Sequence, residues 1–173
     1  MTKGPNILVT GTPGTGKTSL CQLLAERLPR LSVVDVGEIV KAEEFHEGFD
    51  PDFQTYILDE ERLLDYLEPI MEEGNKVVDF HSCEVFPERF FDLVVVLRCT
   101  TEVLYDRLVL RNYSDKKINE NMECEIMQVV LESARDSYDE RIVQELPSNS
   151  VEDMESNVSR IGQWYASWMA NNT

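Results

Sequence analysis

The sequence predicts an α/β protein in which a parallel β-sheet is covered by helices on both faces. Three observations carry this expectation. Short apolar runs such as Leu93–Leu97 (L-V-V-V-L) show no alternation, as strands buried on both faces do. Stretches with apolar residues at helical spacing separate these runs. The first run passes almost directly into G-T-P-G-T-G-K-T, Gly11 to Thr18, a complete phosphate-binding loop. Right-handed crossovers then put that loop at the C-terminal edge of the strands.

From the N-terminus, Asn6–Thr10 is expected as a strand, and Lys17–Leu28 as a helix carrying Leu20, Leu23, Leu24 and Leu28. Leu31–Val36 reads as a strand, and Gly37 introduces a helix with Ile39 and Val40 on its apolar side. From Glu43 to Asp59 the chain turns acidic and aromatic, with Phe45, Phe49, Phe53, Tyr56, Gly48 and Pro51, and is expected to leave the sheet. Asp59–Gly74 reads as a helix with Leu63, Leu64 and Leu67 on one side, distorted late by Pro69. Val77 and Val78 form a short strand ending at Asp79, and Leu93–Leu97 a stronger one. Thr101 is expected to cap a helix running to about Arg111, followed by a second over Asn119–Tyr138 with Ile126, Val129, Val130 and Ala134. Ile142–Leu146 is the last strand before Pro147. Ser150 with Asp153 then forms a variant capping box, opening a helix that buries Val158, Ile161, Trp164, Tyr165 and Trp168.

A length of 173 residues with 42% hydrophobic content fits one domain, residues 1–173, with a full core. No run approaches the 18 or so apolar residues of a membrane span. The segment Met1 to Pro5 is too short and polar for a signal peptide, so a cytosolic or nuclear protein is expected. Cys21, Cys83, Cys99 and Cys124 lack C-x-x-C spacing and read as buried reduced thiols. The net charge of −17 repels phosphate backbones, so direct sequence-specific nucleic-acid binding is not expected. Against that background Arg98, Arg107, Arg111, Lys116 and Lys117 form a local basic island, suited to meeting phosphate or to an ordinary solvated helix face.

The loop implies a nucleoside triphosphate. Its glycines let successive N–H groups point inward at an anion, and the helix beginning near Lys17 adds its positive dipole end. Lys17 would reach the outer phosphates, and the Thr18 hydroxyl would serve Mg²⁺. Asp79, ending its strand at the same edge, is a second candidate ligand for Mg²⁺ or its waters, or else a turn residue. His81, two residues on, would orient a water, relay a proton, or merely satisfy a turn. Arg111 ends a helix before a short polar turn and is placed to stabilise charge on a transferring phosphoryl group, with Arg107 supporting it or pairing with an acid. His46 has no metal-binding partner at suitable spacing and is assigned no role. The absence of an N-K-x-D string disfavours a regulatory GTPase.

In order along nearly the whole chain stand G-T-P-G-T-G-K-T, V-G-E, V-D-F-H-S-C, F-P-E-R-F-F, L-R-N-Y-S-D-K-K-I and E-L-P-S-N. This series resembles the adenylate kinase isoenzyme 6 family, the coilin-interacting nuclear ATPases. Kinases for shikimate or gluconate share the fold but lack the series. The resemblance implies a P-loop nucleoside monophosphate kinase fold: a five-stranded parallel sheet flanked by helices, a nucleotide-monophosphate-binding insert at 35–58 and a short, zinc-free lid at 110–120. It implies phosphoryl transfer from ATP to AMP together with ATPase activity. Gly14, Gly16, Lys17, Thr18 and Ser19 then resemble the ATP phosphate contacts, Arg111 the lid arginine, and Asp79 with His81 the family's D-x-H pair. Asn149 and Ser150 occupy the loop expected near adenine. The family further implies small ribosomal subunit maturation through a ribosomal protein, in nucleus and cytoplasm.

Adenylate kinases generally place an arginine after the G-D turn to hold the acceptor phosphate, whereas this chain has Gly37, Glu38 and then Lys41, a point charge that cannot grip bidentately. From Glu38 to Glu73 there are thirteen acidic residues against Lys41 and Arg62. That leaves the acceptor-phosphate ligand open among Lys41, Arg62 and Arg89. The same acidity suits either an acceptor held mostly by hydrogen bonds or a surface meeting a basic ribosomal protein. Two readings therefore stand: an adenylate kinase, and an ATPase switch in which hydrolysis releases a protein partner.

Overall fold

The computed structural model describes residues 3–52 and 55–173; Met1 and Phe53, named above, lie outside them. Strands β1 (Ile7–Thr10), β2 (Ser32–Asp35), β5 (Lys76–Asp79), β6 (Leu93–Arg98) and β7 (Val143–Pro147) form one five-stranded sheet in the order β2-β5-β1-β6-β7. Every pairing in it is parallel. Helices α1 (Lys17–Arg27), α2 (Val36–Ala42), α3 (Glu60–Glu72), α4 (Thr101–Leu110), α5 (Asp115–Ile126), α6 (Val129–Ser137) and α7 (Val151–Asn171) connect and cover it.

Strand alternation divides the core. Leu8, Val78, Val94 and Val96 point to the face covered by α3 and α6, where they meet Leu63, Leu67, Leu131 and Ala134. Ile7, Val9, Val77, Val95 and Leu97 point to the other, against Leu20 and Leu24 of α1 and Val158, Ile161 and Tyr165 of α7. Each such Leu, Ile or Val contributes about 1.5–3 kcal/mol by leaving water. Trp164 and Trp168, expected inside, are only half-buried on the flank of α7.

Some local expectations hold and others are corrected. The excursion after α2 is an antiparallel hairpin, β3 (His46–Asp50) with β4 (Thr55–Leu58), separate from the main sheet. Pro69 stands inside α3 without ending it. Thr100, not Thr101, caps α4: its extended backbone leaves the hydroxyl free to accept from the Val103 N–H. The helix expected over Asn119–Tyr138 starts earlier, at Asp115 behind a Ser114 cap. It is also two helices, because Gln128 takes a left-handed conformation (φ 57°) and turns the chain. That turn leaves Ile126 and Val129 more than half exposed, at 61% and 51%, while Leu131 and Ala134 are buried. Ser150 does accept from the Asp153 N–H, and the Asp153 carboxylate accepts in return from the Asn149 N–H, closing the capping box one residue early. All four cysteines are free thiols, three of them buried. Among the described residues no helix is long and apolar enough to cross a membrane.

Candidate active site

The β1–α1 turn, the end of β5 and the α4–α5 turn meet at the C-terminal edge of the sheet. Gly14 and Gly16 have φ of 97° and 95°, which L side chains rarely adopt. A Cβ on Gly14 would also come within 2.9 Å of Leu104, and one on Gly16 within 3.1 Å of the Ser148 hydroxyl. Lys17 Nζ donates to the Gly11 and Thr12 carbonyls at 3.0 and 3.2 Å, folding the side chain over its own loop. Burial pushes its pKa down to about 8 against the pull of Asp79. In the first turn of α1, Thr18 Oγ1 donates to Asp79 Oδ2 at 2.6 Å. Asp79 is buried, and the loss of water raises its pKa. A hydroxyl and a carboxylate oxygen side by side at a phosphate-binding loop fit the oxygen donors Mg²⁺ takes. Ser19 is exposed on the same turn of α1.

His81 is exposed toward the clefts, yet their walls crowd the ring and reduce its hydration. That desolvation, with the nearby Lys17 and Lys117 charges, lowers its pKa to about 4, so the ring is neutral at physiological pH. Two clefts flank it. The first, about 480 Å³, is lined by Lys17, Thr18, His81, Arg111, Tyr113 and Lys117 among others. The second, about 450 Å³, lies toward α2 and the hairpin and includes Lys41, His46, Tyr56, Phe80 and, again, His81.

The basic island divides. Arg111, capping α4, donates to the Tyr113 hydroxyl and lies 5.9 Å from its ring centre, and Lys117 Nζ lies 4.1 Å from the same centre. Among the described residues Arg107 forms no ion pair with an acid. It turns under the phosphate loop, donating to the Gly14 carbonyl at 3.3 Å and to Cys99 Sγ. Arg98 points inward to Glu125, and Lys116 is exposed on α5. Among the acceptor-phosphate candidates Lys41 lines the second cleft, whereas Arg62 pairs with Asp59 and Arg89 is bidentate on Glu68.

The 148–150 loop touches the phosphate loop through Ser148, whose hydroxyl donates to the Thr15 carbonyl at 2.5 Å. Asn149 Oδ1 accepts from the Thr100 N–H at 2.7 Å and Ser150 caps α7, so both side chains already serve the backbone.

The chain is 52% identical to the adenylate kinase isoenzyme 6 homolog of Dictyostelium discoideum, covering 97% of this chain and 95% of that protein. The chain belongs to the adenylate kinase isoenzyme 6 family. The homolog of Schizosaccharomyces pombe is 51% identical, over 96% of this chain and 95% of that one. Residues 7–128 also match the AAA domain family model. Among solved structures, the shikimate kinase of Bacteroides thetaiotaomicron superposes with a TM-score of 0.57 at 19% identity, covering 92% of this chain and 97% of that one. The gluconokinase of Sinorhizobium meliloti gives 0.54 at 16%, over 94% and 96%. These likenesses show the α/β P-loop kinase fold.

One residue of this family member escaped the sequence reading. Glu125, buried at the end of α5, accepts from Thr12 Oγ1 in the phosphate loop, from the Cys99 N–H and from Arg98 Nε, at 2.8, 2.9 and 2.9 Å. It ties the helix that walls the first cleft to the loop beneath it. The i, i+3 and i, i+4 pattern of α5 gave no sign that one acid would be turned inward.

Proposed function

We propose that the protein transfers the γ-phosphoryl group of ATP to AMP, with hydrolysis of ATP at the same site. The observation that carries this reading is that His81 borders both clefts, with Lys17, Thr18 and Arg111 on the side of the phosphate loop and Lys41 on the other. The loop N–H groups and Lys17 hold the ATP phosphates, and Arg111 closes on the charge that spreads over the moving phosphoryl group. Thr18 and Asp79 hold Mg²⁺, which when bound neutralises phosphate charge. Neutral His81 can accept a hydrogen bond from the attacking oxygen, whether it belongs to AMP or to water. Residues 35–58 act as the acceptor-binding insert and 110–120 as the lid, and Asn149 with Ser150 lie beside the adenine of ATP.

ADP formation from ATP with and without AMP tests the transfer. AMP should produce two ADP for each ATP consumed; no stoichiometric excess over hydrolysis rules out the kinase reading.

The net charge of −17 favours a second role. Opposite charge speeds and orients encounter, so a basic small-subunit ribosomal protein fits as a partner, with ATP hydrolysis driving its release during subunit maturation in the nucleus and cytoplasm. Binding of such a protein and a change in hydrolysis rate on adding it are the expected results; neither occurring removes this role.

A further inference from the structure

The second cleft contains a ladder of rings that holding a phosphate does not call for. Phe49 meets Tyr56 edge-on with centres 5.2 Å apart, Tyr56 stacks on His46 at 4.3 Å and 29°, and the last two rings line the cleft. Tyr56 is 56% exposed, so the ladder stands in water and closes no core. Cross-strand pairing accounts for Phe49 against Tyr56, which are register partners in the hairpin. His46, whose register partner is Leu58, reaches Tyr56 as its diagonal cross-strand neighbour, and the two rings stack 29° from parallel where they line the cleft. Beyond these rings the cleft carries apolar Val40, Leu58 and Phe80, the acid Glu44, the ring of His81 and one ammonium, that of Lys41. A flat aromatic surface at one part of a cleft and a single ammonium at another match the two ends of a nucleoside monophosphate.

We infer that His46 and Tyr56 form the platform on which the acceptor's nucleobase stacks, while Lys41 supplies the positive charge for its phosphate. This rests on the reading of the second cleft as the acceptor site. Every base has a π-face, so a platform of this kind selects by overlap area and favours purines over pyrimidines.

The test compares the unaltered protein with Tyr56→Ala, Tyr56→Phe and His46→Ala, measuring KM for AMP and for ATP, and inhibition of transfer by ribose 5-phosphate, which is AMP without its base. Tyr56→Ala should raise KM for AMP about tenfold with KM for ATP moving less than twofold, and Tyr56→Phe should restore it. Ribose 5-phosphate should inhibit the unaltered protein and Tyr56→Ala at similar concentrations, since it makes no stack. An unchanged KM for AMP in Tyr56→Ala and His46→Ala, with AMP-dependent turnover intact, overturns the platform alone. Weakening of ribose 5-phosphate in step with AMP also overturns it, because the loss would then be one of shape. No AMP-dependent ADP formation in the unaltered protein overturns the acceptor reading and the platform together.

Discussion

A carboxylate under a loop that binds phosphate works against the loop's purpose, and Glu125 is such a group. Its charge is balanced by Arg98, and its oxygens are taken by Thr12 and Cys99, so its contribution is to fix position. Removing one partner of a buried ion pair strands the other. Glu125→Ala should therefore lower unfolding free energy by about 3–5 kcal/mol in a denaturant titration. The titrations of Lys17 and His81 make a second prediction. Burial favours the uncharged form of each, so Lys17 loses its proton above about pH 8 and His81 gains one only below about pH 4. The kcat/KM for ATP, which reports the free enzyme, should fall above about pH 8 as Lys17 loses its charge and should show no histidine limb near 6.5. A limb at 6.5 would mean a solvated His81. Lys17, Thr18, Asp79 and His81 were legible because a motif or a strand end announces them. Glu125 was not, since it meets Thr12 across 113 residues of chain.

At the scale of elements, β1, β2, β5 and β6 were legible because adjacent Val, Leu and Ile without alternation admit few other structures, whereas β7 (V-Q-E-L-P) was marked mainly by the proline that closes it. The hairpin and the α5–α6 turn were not legible. H-E-G-F-D carries acids where a strand usually carries β-branched residues, and the turn at Gln128 uses neither Gly nor Pro, so helical spacing reads straight through it. Neither is announced by residue type: the acidic strand takes its form by pairing with β4, and the turn comes just after Glu125, whose side chain is held inside while the backbone from Ile126 to Val129 runs on the surface. Caps, in contrast, are local. Ser150→Ala removes the hydroxyl that accepts from Asp153 N–H and should cost about 1 kcal/mol, read as a fall in Tm of about 2–4 °C. If Ser150 also touches adenine, KM for ATP rises in the same variant; an unchanged KM assigns it to the cap alone.

Across the whole molecule, a charge of −17 on 173 residues repels itself. Raising salt from about 10 mM to 150 mM shortens the reach of that repulsion from roughly 30 Å to 8 Å, and Tm should increase over this range. The opposite trend would mean that attractive pairs such as Arg98 with Glu125 dominate. The position of His81, shared by two clefts, carries a consequence for how ATP is used. If His81 faces the attacking oxygen as proposed, only one such oxygen fits beside that ring, and transfer and hydrolysis would compete for a single berth. Hydrolysis would then be the leak of an unfilled berth and AMP its stopper: as AMP rises, the release of free phosphate should decline while ADP output climbs.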